Sequence, residues 1–183
     1  MIMKKIQANS NSYDTRIKRA HSAIKFIVIH FTCGNGDTAV GEGGYFQRHK
    51  EKSGAHFFID REGVVVKSVD LNRIAWSVGG SRYTDYKETG GAKFYRVCTN
   101  SNSVSIELCD LYELHIYPSE KQIMALCDTI KYIKKHCPQI VSGSQIIRHF
   151  DVTGKYCPRT MCKPYGQDHL WYNLKARIVK ECF

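Results

Sequence analysis

Residues 25–32, KFIVIHFT, form a short β-branched apolar run that stops on a histidine and opens into the turn residues Cys33-Gly34-Asn35-Gly36. That is the signature of a buried strand with a polar side chain delivered at its end. Working outward, SVSIELC (103–109) alternates: Val104, Ile106 and Leu108 face one way, and Ser103, Ser105 and Glu107 the other. QIIR (145–148) is a further short strand, and it too ends on a histidine, His149. AHFFID (55–60) and VVVKSV (64–69) flank Arg61-Glu62-Gly63 and read as a β-hairpin.

Helices separate these strands. Asp37 is placed to cap a helix running to about residue 50, although Gly41, Gly43 and Gly44 weaken its propensity. Ser119 and Gln122 form a Ser-x-x-Gln capping box ahead of an apolar stripe of Ile123, Leu126, Ile130 and Ile133, which Pro138 stops. A last helix carries Leu170, Leu174 and Ile178, and residues 79–102 read as a long binding loop. The expected fold class is α/β: a single domain with a central mixed β-sheet flanked by α-helices over residues 25–183, preceded by a polar arm, 1–24.

Composition narrows the class. At 183 residues with 43% hydrophobic side chains, the chain buries a core without disulfide staples. No apolar run approaches the ~20 residues of a membrane-spanning helix, and the charged start has no apolar segment behind it, so synthesis in a cytoplasm without a secretory signal is expected. The eight cysteines have no CxxC pair and are expected to be mostly free, buried thiols. A net charge of +10 points to an anionic partner, but the basic residues are scattered without a nucleic-acid motif, so no nucleic acid is expected. A monomer is the expected state.

His30 and His149 each follow a core strand, and Cys157 lies eight residues after His149 through a loop that Gly154 lets turn back. Strand ends along one sheet edge are where α/β folds build sites. Two imidazoles and one thiolate are the donor set of a catalytic zinc ion with its fourth position left for water. A strand-end histidine also occurs as a satisfied structural residue, and both readings stand at this level.

The words around these residues carry more. FIVIHFT, SGAHFFIDREG, IAWSVGG, NSVSIEL and IIRHFDVTGKYCP resemble, in order, the blocks of the type 2 N-acetylmuramoyl-L-alanine amidases, in the superfamily of peptidoglycan recognition proteins that includes many phage endolysins. The resemblance runs from about residue 24 to 158 and implies that family's fold. It implies one catalytic Zn²⁺ held by His30, His149 and Cys157. Lys155 would steady the oxyanion, and Glu107 would move the proton, a structural carboxylate being its rival role. Asp151 would orient His149 or brace its loop, and His56 and Trp76 would line the substrate cleft, each with a buried structural role as the competitor. Several members of the family it resembles place a catalytic tyrosine where this chain has Ala55, which throws more weight on Glu107.

The implied activity is hydrolysis of the amide between the N-acetylmuramic acid lactyl group and L-alanine in bacterial peptidoglycan, in a phage or prophage endolysin acting on the wall after release from the cytoplasm. A bacterial autolysin or recycling amidase, or a non-catalytic peptidoglycan-binding module, is the alternative. Two chemical rivals remain: a cysteine hydrolase using Cys157 with His149, and a structural zinc closed by Cys157, Cys162 and histidines. Lys163, Lys175, Arg177 and Lys180 are expected to attract anionic envelope polymers.

Overall fold

The computed structural model describes residues 3–183. The strand at the heart of the chain is β3 (Phe26–Phe31). It is buried along almost its whole length because it has a parallel neighbour on each side: β7 (Ser103–Leu108) and β8 (Ile146–Arg148). Beyond β7 lie β4 (Phe57–Ile59), parallel to it, and β5 (Val65–Lys67), antiparallel to β4. The expected hairpin is thus present, and Asp60 fastens its turn by accepting the backbone N–H groups of Glu62 and Val64. The edge strand is β1 (Met3–Lys5), parallel to β5, so the six-stranded mixed sheet runs β1-β5-β4-β7-β3-β8. A separate two-stranded ribbon joins β2 (Tyr13–Asp14) to β6 (Ile74–Ala75).

Residues 3–24, which read as a polar arm, therefore contribute two strands. They also contribute Arg19, which is only 7% exposed. Its guanidinium donates to the carbonyls of Leu71, Asn100, Ser101 and Ser103, tying the segment to two loops. Backbone acceptors are the partners a buried guanidinium requires.

One face of the sheet is apolar. Ile27, Ile29, Phe57, Ile59, Val104, Ile106 and Leu108 pack there with Leu126 and Ile130 of α3 (Glu120–His136) and Leu174 and Ile178 of α5 (Asp168–Cys182). Ser119 caps α3 through the Gln122 N–H, as expected. The reciprocal half of the capping box is not made. The Gln122 amide is buried and donates instead to the carbonyls of Ile59 and Cys109, stitching helix to sheet.

The other face is covered by α1 (Ala39–Arg48), α4 (His149–Thr153) and loops, and the short α2 (Tyr86–Thr89) has no buried residue. The cap of α1 is Thr38, which accepts from the Gly41 N–H. Asp37 is drawn away from that role, accepting from the Thr32 hydroxyl and from the Asp110 N–H. Of the eight cysteines, all free, seven are buried and Cys33 is exposed. No helix among the described residues is long and apolar enough to cross a membrane.

Candidate active site

Three parallel strands, β7, β3 and β8, end together, and their register decides which side chains meet. His30 is paired with Glu107 across β3 and β7, and Phe58 of β4 is paired with Glu107 on its other side. In-register neighbours in a parallel sheet share a face. His30, Glu107 and Phe58 therefore all point into the side away from α3 and α5.

His149 enters as the first residue of α4, directly after β8. The helix is stopped by Gly154, whose φ of +86° is the left-handed conformation that a glycine adopts without strain. The chain then doubles back until the Phe150 N–H donates to the Cys157 carbonyl at 3.0 Å. That one hydrogen bond presses Cys157 against the strand ends.

His30, His149 and Cys157 come together as a result. Their ligand-type atoms all lie within 4.8 Å of one another, and all three residues are buried. Cys157 Sγ is 3.8 Å from His30 Nδ1. Donors ~2.1 and ~2.3 Å from a common tetrahedral zinc would be ~3.6 Å apart. His30 Nε2 and both ring nitrogens of His149 have no hydrogen-bond partner among the described residues. Buried polar atoms are rarely left so, and the donor set and its spacing fit a zinc ion.

The electrostatics of the bare protein agree. Burial, with His149 and Lys155 nearby, holds the His30 imidazole well below its ordinary pKa, and burial beside Lys155 takes His149 down to about 3. Both imidazoles are thus kept neutral, as ligands must be. Burial pushes the Cys157 thiol well above its ordinary range, with Glu107 adding to the effect. A thiol in this setting becomes a thiolate only with a cation beside it.

The cluster forms the floor of a cleft of about 300 Å³, walled by Glu42 and Phe46 of α1, Phe58, Trp76, Ser77, Glu107 and Lys155. Glu107 keeps 20% of its side-chain exposure and brings Oε1 to 3.9 Å from His30 Nδ1. Its Oε2 has no partner among the described residues. Burial raises the carboxyl to about 8, against the pull of Lys155. Trp76 is half-buried on the wall, and Lys155 is exposed at the rim.

One expected role is corrected by the geometry, and for another it favours one of two alternatives. His56 does not line the cleft. It is fully buried, its Nδ1 accepts the Ser105 N–H, and its Nε2 faces the Arg73 carbonyl at 3.2 Å. Residue 56 shares the face of Phe58 but lies two positions back along the strand, level with Ser105, where the Arg19 guanidinium closes over it. Asp151 does not touch His149 either. Its carboxylate takes the Arg148 N–H and, bidentately, the Arg148 guanidinium at 3.1 and 2.8 Å. Arg148 also donates to the Met161 carbonyl, so the pair braces the loop that carries Cys157, the alternative role.

His56 has a measurable consequence. Burial first, then the Arg19 guanidinium 2.9 Å from Nε2, lower its pKa to about 3. Above about pH 6.5 the imidazole is neutral in folded and unfolded chains alike. As the pH falls from there toward 3, only the unfolded chain takes up the proton, and stability drops by about 1.4 kcal/mol per unit. Urea midpoints at pH 7 and pH 5 are expected to fall further for the wild type than for His56→Asn. His30 and His149 contribute to both chains and cancel, so equal losses would refute this role for His56.

Sequence reasoning passed over Glu42, Arg148 and Lys52. Arg148 and Asp151 stand at i and i+3, a pattern visible in the sequence. Glu42 sits in a glycine-rich stretch, and Lys52 in a polar loop, with no such signal.

Comparison with known proteins is consistent with this arrangement. The chain is 27% identical over 147 residues to the N-acetylmuramoyl-L-alanine amidase CwlL of Bacillus licheniformis, matching 75% of this chain and 36% of CwlL. It thus spans about a third of that relative's length. PlyL superposes with a TM-score of 0.67 at 20% identity, covering 97% of each chain. The endolysine N-acetylmuramoyl-L-alanine amidase LysCS of Clostridium intestinale gives a TM-score of 0.56 at 18% identity, covering 86% of each. The model of the Amidase_2 family, N-acetylmuramoyl-L-alanine amidase, matches residues 20–160, which hold every member of the cluster and its cleft wall, and the chain belongs to that family.

Proposed function

We propose that the protein is a zinc-dependent peptidoglycan hydrolase that cleaves the amide between the lactyl group of N-acetylmuramic acid and L-alanine. The observation that carries this is the buried His30–His149–Cys157 cluster, with its unpartnered ring nitrogens, at the bottom of an open cleft. A zinc ion held by these three residues would supply Lewis acidity toward the amide carbonyl and bring the pKa of water down to ~7.

The remaining chemistry belongs to the chain. The Glu107 carboxylate takes the proton of the attacking water and returns it to the leaving nitrogen of L-alanine. Ala55 is buried and offers no alternative proton carrier. The Lys155 ammonium, at the rim above the cluster, donates to the oxygen as the carbonyl becomes tetrahedral. Trp76 provides a flat wall against which the substrate is held.

The chemical rivals find less support. A cysteine nucleophile needs a thiolate, and burial raises Cys157 well above its ordinary range. A closed structural site would need Cys162, whose thiol donates to the Pro158 carbonyl and stands outside the cluster.

Purified peptidoglycan digested by the protein is expected to release peptides with new L-alanine amino termini. Chelation is expected to abolish this release, and zinc to restore it. New reducing sugar ends, or indifference to chelator, would overturn the reading.

Similarity to the endolysine LysCS supports an endolysin role, with host peptidoglycan as the partner. Attraction to anionic envelope polymers falls mainly to Lys163 and Lys180, which are exposed. Arg177 is paired with Glu120 at 2.6 Å, and Lys175 is half-buried beside Trp171.

A further inference from the structure

A second pocket, of about 510 Å³, opens from the cleft and shares Trp76, Ser77, His149 and Lys155 with it. Its lining differs in charge. Glu42 and Glu107 face the first cleft, whereas the second has two lysines, Lys52 and Lys155, and no carboxylate. Its wall is preformed. Asn100 Oδ1 accepts the N–H groups of both Ser77 and Val78, and the Tyr83 N–H donates to the Thr153 carbonyl at 2.8 Å. Gly80, at φ +110°, lets the loop between them turn without a side chain in the pocket.

We propose that this pocket holds the stem peptide and that Lys52 selects a free carboxylate on the residue following L-alanine over the corresponding amide. The inference rests on the amidase reading above. An occupant of the pocket is continuous with the scissile bond, because His149 and Lys155 border both spaces. Of the two halves of such a substrate, the sugar side is hydroxyl and acetamido, without formal charge, and the peptide side carries the carboxylates. Charge complementarity sends the peptide to the lysine-lined pocket and leaves the glycan to the side of Glu42. Lys155 is committed to the reacting carbonyl. Lys52 has no ion pair or hydrogen bond among the described residues, so its ammonium is the cation available for a carboxylate further along the peptide. An ammonium on a flexible stem tolerates variation in peptide geometry but distinguishes charge from no charge.

The test uses the zinc-loaded full chain and two soluble substrates, N-acetylmuramoyl-L-alanyl-γ-D-glutamyl-L-lysine and its isoglutamine counterpart, which differ by one carboxylate against one carboxamide. Wild type is expected to prefer the acid by about three- to fivefold, the scale of one exposed ion pair, with the difference in KM and diminishing at high salt. Lys52→Gln is expected to lose the preference and Lys52→Arg to keep it. A preference that survives Lys52→Gln, or none in the wild type, overturns the proposal.

In parallel, the sugar-free acid and amide peptides are titrated while the backbone amide resonances of Ser81 and Asn100 are followed. Shifts from the acid peptide alone support the pocket, and equal or absent shifts reject it. If neither substrate is cut, the amidase reading fails, while these titrations still decide the carboxylate site.

Discussion

Cys157→Ala is expected to lower peptidoglycan amide hydrolysis by at least about a thousandfold, because water left near its ordinary pKa is a poor nucleophile at neutral pH. The same variant is expected to lose zinc, since one of three protein donors is gone and even residues that merely support a ligand cost about 10- to 100-fold in metal affinity. The fold should survive. Cys157 is buried in the main core, but the change removes a single sulfur, and truncations of that size cost on the order of 1 kcal/mol. Three measurements on one preparation decide the matter: metal content, product release, and the unfolding midpoint of metal-free protein. Loss of activity with one equivalent of zinc still tightly bound would recast Cys157 as a nucleophile. Full activity would end the metal mechanism.

Arg148→Ala is expected to cost about 3–5 kcal/mol of stability, the usual penalty for removing one partner of a buried ion pair. Arg148 is 5% exposed and Asp151 8% exposed, so water cannot replace the lost guanidinium at the carboxylate. The Met161 carbonyl loses its donor at the same time, and with it the brace on the loop that returns to Cys157. Replacing both partners, as Arg148→Met with Asp151→Leu, is expected to recover part of the loss, because no charge is then stranded. Urea unfolding of the two variants checks both statements. A loss below 1 kcal/mol for the single change would show that the pair contributes little.

Much of the sheet could be read from local pattern. The alternation of residues 103–109 identified which side chains of β7 enter the core, and Val104, Ile106 and Leu108 are found there. The hairpin at 61–63, the Ser119 cap and the Pro138 stop are likewise local events between neighbouring residues. Residues 3–24 were less legible because β1 is held by the backbone of β5, some sixty residues away, and backbone pairing leaves little trace in side-chain character. Asp37 and Thr38 are both good caps by residue type. Thr38 takes the role because the Asp110 N–H, supplied by a distant loop, occupies Asp37.

The sequence alone was enough to determine which residues are of ligand type and that two of them stand at the ends of core strands. Strand ends and donor chemistry are properties of short segments. Only the tertiary structure decided that His30, His149 and Cys157 share one space and that His56 is sealed beneath Arg19 instead of opening onto the cleft. Each of those outcomes depends on strand register or on a turn made elsewhere in the chain. Contacts between residues more than a hundred positions apart have no local signature.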